Sequence, residues 1–154
     1  MSGQLDNLMF DDEFLRHLGI FHAVWALADL EVTYGKGKAL NISHEQTHVL
    51  TAGMEFGRKA IILQNLISRT DDPNKGQIIS AARALQNIPL RNALAHGYLL
   101  SDNQTVSFIE RSRGGKYSTE PRTFTRPTFI AHVKTLISLL NQLEEALGLD
   151  REKI

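Results

Sequence analysis

From Asp11 to about Val32 the apolar residues return every three or four positions, as Phe14, Leu15, Leu18, Phe21, Val24, Trp25, Ala28 and Val32. That period gathers them on one face of a helix, and such a face must be buried against other elements. Asp11, Asp12 and Glu13 stand at its start, where acids favour the positive end of the helix dipole. The same spacing recurs near the other end of the chain. There Pro127 opens a stretch carrying Phe129, Ile130, Val133, Leu136, Ile137, Leu140, Leu143 and Leu147. Two long stripes of this kind in one chain predict a mainly helical protein, an antiparallel bundle of four or five helices.

The segments between the stripes fill in that plan. Tyr34-Gly35-Lys36-Gly37 reads as the end of the first helix. Ser43, with Gln46 three residues on, reads as a capping box that starts a second helix reaching about Ser68, weakened locally by Gly53 and Gly57. Thr70 to Gly76 is a loop, with Pro73 placed to open a third helix over about 76–88. Pro89 interrupts that helix or starts a short one over 89–96, and Gly97 suits a left-handed terminus. The pattern then changes: Tyr98–Leu100 and Thr105–Ile109 flank the turn Ser101-Asp102-Asn103-Gln104 and predict a β-hairpin. Arg113-Gly114-Gly115-Lys116 is a second turn, with a further short extended piece over 117–125. The expected organisation is one helical domain over 1–154 with a hairpin insert at about 98–126.

Composition narrows the class. A chain of 154 residues fits one domain, and 42% apolar with 22% charged residues is globular, not disordered. There is no cysteine, which removes disulfides, thiolate metal sites and a thiol nucleophile. No apolar run approaches the ~18–20 residues that span a bilayer, and the first ten residues lack a basic start followed by an apolar stretch. A cytoplasmic protein without membrane attachment is expected. The 17 basic and 17 acidic residues cancel, but unevenly. Residues 1–31 hold six acids against Arg16, whereas 111–126 hold Arg111, Arg113, Lys116, Arg122 and Arg126 against Glu120. The basic stretch is a candidate for tracking a nucleic-acid backbone, or else a solvated loop. Tyr98, Tyr117 and Phe124 are candidates for base stacking, and equally for packing of a hairpin.

Two short motifs carry chemistry. His44-Glu45-Gln46-Thr47-His48 matches H-E-x-x-H, in which two His one helical turn apart share a zinc ion and the Glu acts as general base. A catalytic zinc needs a third protein ligand, and only Asp71 and Asp72 lie at a plausible distance. A polar first turn with Gln46 in a capping box accounts for the same residues. The second motif is Arg91-Asn92-Ala93-Leu94-Ala95-His96. Asn92 and His96 are four apart, hence on one helix face, and Arg91 is long enough to swing beside the imidazole. A guanidinium, a carboxamide and an imidazole together suit a phosphodiester: the fork holds phosphate oxygens and the imidazole moves a proton near neutral pH. His17, His22 and His132 sit at the edges of apolar stripes and read as boundary residues. Trp25, Phe14 and Phe21 read as core.

Arg91-Asn92-x-x-x-His96 resembles the R-x4-6-H signature of the HEPN superfamily, in which a polar residue commonly follows the Arg. The order of elements is similar too: a long first helix, a second carrying Phe56-Gly57-Arg58-Lys59, the motif, a hairpin and a leucine-rich last helix. The resemblance implies an all-helical, dimerising protein of a superfamily rich in metal-independent endoribonucleases. These include toxins of toxin–antitoxin and phage-defence systems, and other members have lost catalysis and serve as binding modules. It implies that Arg91, Asn92 and His96 form the catalytic cleft without a cofactor, with RNA, a second copy of the chain and a cognate antitoxin protein as partners. The alternatives left open are an inactive binding dimer and, more remotely, the zinc peptidase.

Overall fold

Spacing of three and four is realised as five helices among the residues that the structure, a computed structural model, describes: 12–88, 98–101, 105–109 and 122–149. In chain order these are α1 (Asp12–Leu40), α2 (His44–Thr51), α3 (Phe56–Ser68) and α4 (Lys75–Gln86), then strands β1 (Tyr98–Ser101), β2 (Thr105–Ile109) and β3 (Arg122–Thr125), and finally α5 (Arg126–Leu147). The protein is thus mainly helical with a small antiparallel sheet before the last helix. Backbone packing divides the chain into two compact units, Met1–Phe21 with Pro89–Lys134 and His22–Ile88 with Thr135–Ile154.

Helix α1 does not stop at Tyr34-Gly35-Lys36-Gly37 but continues through it to Leu40. The two glycines serve close packing, not a turn. A Cβ on Gly35 would lie 2.9 Å from Leu63 Cδ1 of α3 and 3.1 Å from Leu147 Cδ2 of α5. Tertiary contact here outweighs the roughly 1 kcal/mol that a glycine costs inside a helix. The helix ends three residues later. Asn41 takes the left-handed conformation at φ 54°, Asn41 N donates to Lys38 O and Ile42 N donates to Gly37 O. This is a Schellman motif, with Asn in the place glycine usually holds. Helix α5 closes the same way through Gly148 (φ 63°), with Gly148 N donating to Glu145 O and Leu149 N to Glu144 O.

The capping box at Ser43 is present in full: Ser43 Oγ accepts from Gln46 N, and Gln46 Oε1 accepts from Ser43 N. The helix it starts, however, runs only to Thr51. Gly53 adopts φ +73°, a conformation L side chains rarely take, and the single helix expected over 43–68 becomes α2 and α3. The break sets the direction of α3. Trp25 meets Phe56, Asp29 meets Lys59 and Gly35 meets Leu63, so α3 advances alongside α1 in the same sense, with α2 as the return. Helix α4 then folds back on α3, tied by Gln64 Nε2 donating to Gln86 Oε1. Ala28, Val32, Ala60, Leu63, Ile78, Leu85, Leu136 and Leu143 are fully buried in this unit.

In the other unit, the hairpin pairs Tyr98 with Ile109 and Ser101 with Val106, as the alternation predicts. Of the extended piece expected over 117–125, residues 122–125 form β3, which pairs with β2 from Thr105↔Thr125 to Phe108↔Arg122, and 117–121 lie outside the described residues. A bond of 2.7 Å between Ser107 Oγ and Thr123 Oγ1 joins one of these cross-strand pairs. Strand β3 runs straight into α5, where Thr125 Oγ1 accepts from Thr128 N across the first turn. Phe14 and Phe129, both buried, pack with ring centroids 5.5 Å apart. The core positions expected for Phe14 and Phe21 are the ones they occupy. Trp25 is half-buried, its ring 4.5 Å from that of Phe56.

Candidate functional site

Arg91, Asn92 and His96 lie outside the described residues, as do Arg111, Arg113, Lys116 and Tyr117. Of the basic stretch, Arg122 is exposed on β3 and Arg126 is half-buried at the start of α5. Phe124 is half-buried and meets the His132 ring edge to face at 5.5 Å, so a packing role holds this aromatic side chain. His17 Nδ1 lies 2.8 Å from Glu13 O, one turn back on the same helix. Since a carbonyl oxygen only accepts, Nδ1 is the donor, and Nε2 is left as the basic nitrogen of the neutral ring. His17 shares a small cavity, about 30 Å³, with Glu13 and Arg126, over a floor that includes Phe14 and Phe129. That is room for about one water molecule.

The H-E-x-x-H residues are fully described. His44 and His48 occupy the first turns of α2 on one face, as their spacing requires, with ring centroids 4.4 Å apart at 83°. His44 is also stacked on Tyr34 at 4.0 Å and 19°. Its Nδ1 is buried without a hydrogen-bond partner among the described residues. Burial, then the neighbouring His48, hold the His44 imidazole below its ordinary value, and Glu45 opposes them. His44 is therefore accounted for by aromatic packing against α1, whereas His48 is exposed and meets the His44 ring edge to face. Among the described residues no third His, Asp or Glu joins them in a group able to hold a metal ion.

The Tyr34 and His44 rings border a cleft of about 310 Å³ whose walls also include Lys38, Ile42, Thr47, Leu147 and Leu149. The ammonium in this wall is already engaged: Lys38 Nζ donates to Leu147 O at 2.7 Å, on the negative end of α5, and stands 3.8 Å from Asp72. A more unusual group belongs to neither motif. Lys36, within the stretch expected to be a turn, is 1% exposed, and its Nζ has no hydrogen-bond partner among the described residues. The signal for it in the sequence is position alone: with Asp29, it falls seven residues along one helix face.

No protein-family model, curated protein or solved structure matches this chain. Among the described residues no helix is long and apolar enough to cross a membrane.

Proposed function

We propose that this chain is a metal-independent endoribonuclease of the HEPN type, acting as a homodimer, with a toxin–antitoxin or phage-defence system as its setting. The observation that carries this reading is the Arg91-Asn92-x-x-x-His96 spacing in a helical chain with a small sheet before its last helix. In such a reaction the 2′-hydroxyl of RNA loses a proton and attacks the adjacent phosphorus. The bond to the 5′ oxygen breaks, and that oxygen takes up a proton, leaving a 2′,3′-cyclic phosphate and a 5′-hydroxyl. His96 is assigned to proton transfer, Arg91 to the charge that builds on the phosphoryl oxygens, and Asn92 to orienting the imidazole or the phosphate. One imidazole cannot act as base and acid at once, so a dimer presenting two copies supplies the second proton carrier. Val49 and Leu50, 77% and 61% exposed on α2, are in keeping with a chain that has apolar surface to cover.

The test is incubation of the purified chain with mixed RNA, with and without chelator, beside a His96→Ala variant whose circular dichroism matches the parent. Cleavage that survives chelator, leaves cyclic phosphate ends and disappears in the variant is the expected result. RNA bound but uncut would make the chain a binding module. Cleavage by the variant would remove His96 from the mechanism, and light scattering showing a monomer would remove the composite site.

A further inference from the structure

Lys36 lies in the most enclosed stretch of α1, where Glu31, Val32, Thr33, Gly35, Lys36 and Gly37 are all buried. An amine in such a place is ordinarily paired, because an unpaired buried charge is costly. Of the two acids in this part of α1, buried Glu31 lies five residues back, about 140° round the helix from Lys36, and Asp29 is taken. Residues seven apart return to within about 20° of the same helix face, so Asp29 and Lys36 share one side of α1. From α3, Lys59 reaches that side and holds Asp29 at 2.7 Å. Lys59 repels the Lys36 ammonium and Asp29 attracts it. Helices α2 and α5 meet the flanking glycines through Thr47 and Leu147, neither of which ionises near neutral pH.

We propose that Lys36 is a protonation switch on the packing of α1 against α3. As a neutral amine it remains in the interior while Asp29 serves Lys59. As an ammonium it competes with Lys59 for Asp29 and loosens the helix pair. The two amines and one carboxylate thus have two arrangements, and pH selects between them.

Burial, then Lys59, bring the Lys36 amine down from 10.5 to about 8, with Asp29 opposing. The folded value lies below the unfolded one, so between these limits the unfolded chain binds more protons. Stability therefore rises with pH from about 8 towards 10.5, and is lost as pH falls back. The folding equilibrium constant gains on the order of 100-fold between about pH 7 and pH 10 from this one group.

The experiment measures denaturant unfolding of the full chain and of Lys36→Met over that range, with a heteronuclear NMR titration of the Lys36 side chain in the parent. The parent should gain stability relative to the variant by the stated factor, and the amine should titrate near 8. Lys59→Met, which frees Asp29 and removes the repulsion, should move that midpoint upward, whereas Asp29→Asn should move it downward. Parallel stability curves, or an amine titrating near 10.5, would overturn the proposal. If Lys36→Met does not fold, the NMR midpoints of the parent and the two partner variants decide alone.

Discussion

Gly37 of α1 and Thr47 of α2 are packed so closely that a Cβ on Gly37 would stand 2.5 Å from Thr47 Oγ1. The Thr47 hydroxyl cannot simply swing aside without loss, because it donates to Ser43 O at 2.8 Å and the residue is 1% exposed. One glycine inside a helix therefore fixes where the next helix lies, and with it the Tyr34–His44 stack that bounds the cleft.

Gly37→Ala should destabilise the fold by about 1–3 kcal/mol, the usual cost of forcing extra volume into a packed interior. In the Gly37→Ala/Thr47→Ala double variant most of that cost should be recovered, since the clashing oxygen is gone. Urea unfolding of the four proteins in the cycle measures this, and additive effects would show that the contact is not the cause.

Gly53 and Gly19 make a second comparison, because among the described residues a methyl group added at either would meet no atom within 4 Å, yet of the two only Gly53 has a positive φ. Gly53→Ala should cost about 1 kcal/mol from the left-handed conformation. Gly19→Ala, within α1, should gain up to about 1 kcal/mol from helix propensity. Thermal melts of the two variants should shift in opposite directions.

Ser43→Ala removes one half of the capping box and should cost about 1 kcal/mol. Because α2 carries His44, the loss should also weaken the Tyr34–His44 stack, visible as a change in the His44 ring resonances. An unchanged melting temperature would show that the cap contributes nothing to this short helix.

His44 adds a pH dependence on the acid side. Its folded value is lowered, so the folded state prefers the neutral ring, and stability present above about pH 6.5 is lost as pH falls through the folded value. Denaturation midpoints at about pH 7.5 and about pH 5.5, on either side of the ordinary imidazole value, should differ more in the parent than in His44→Gln. Equal differences would mean that the ring does not feel its burial.

Under the proposed function the two motifs should separate by mutation. Arg91→Ala and His96→Ala should each abolish RNA cleavage, whereas His48→Ala should leave it intact and chelator-insensitive. Assays on a labelled oligoribonucleotide decide this, and zinc-dependent cleavage lost in His48→Ala would reverse the assignment.

What the sequence determined by itself is whatever depends on neighbours along the chain. The stripes of α1 and α5, the Ser43–Gln46 capping box, the β1–β2 hairpin and the start of α5 beside Pro127 follow from periodicity, caps and turn residues, which act within a few positions. The Arg91-Asn92-x-x-x-His96 motif was legible at the same level, as a spacing, and lies outside the described residues. Tertiary structure decided the rest. Gly35 and Gly37 read locally as a turn, yet Leu63, Leu147 and Thr47 arrive from distant segments and make them helix-interior contacts. Gly53, in contrast, reads locally as a weak point and becomes a break, because α3 must come back beside Trp25 and Asp29. The same packing enclosed Lys36 and stacked His44 on Tyr34. Propensities differ by about 1 kcal/mol per residue, while burial of a large apolar side chain contributes about 1.5–3 kcal/mol, so contacts made across the fold override local preference where the two disagree.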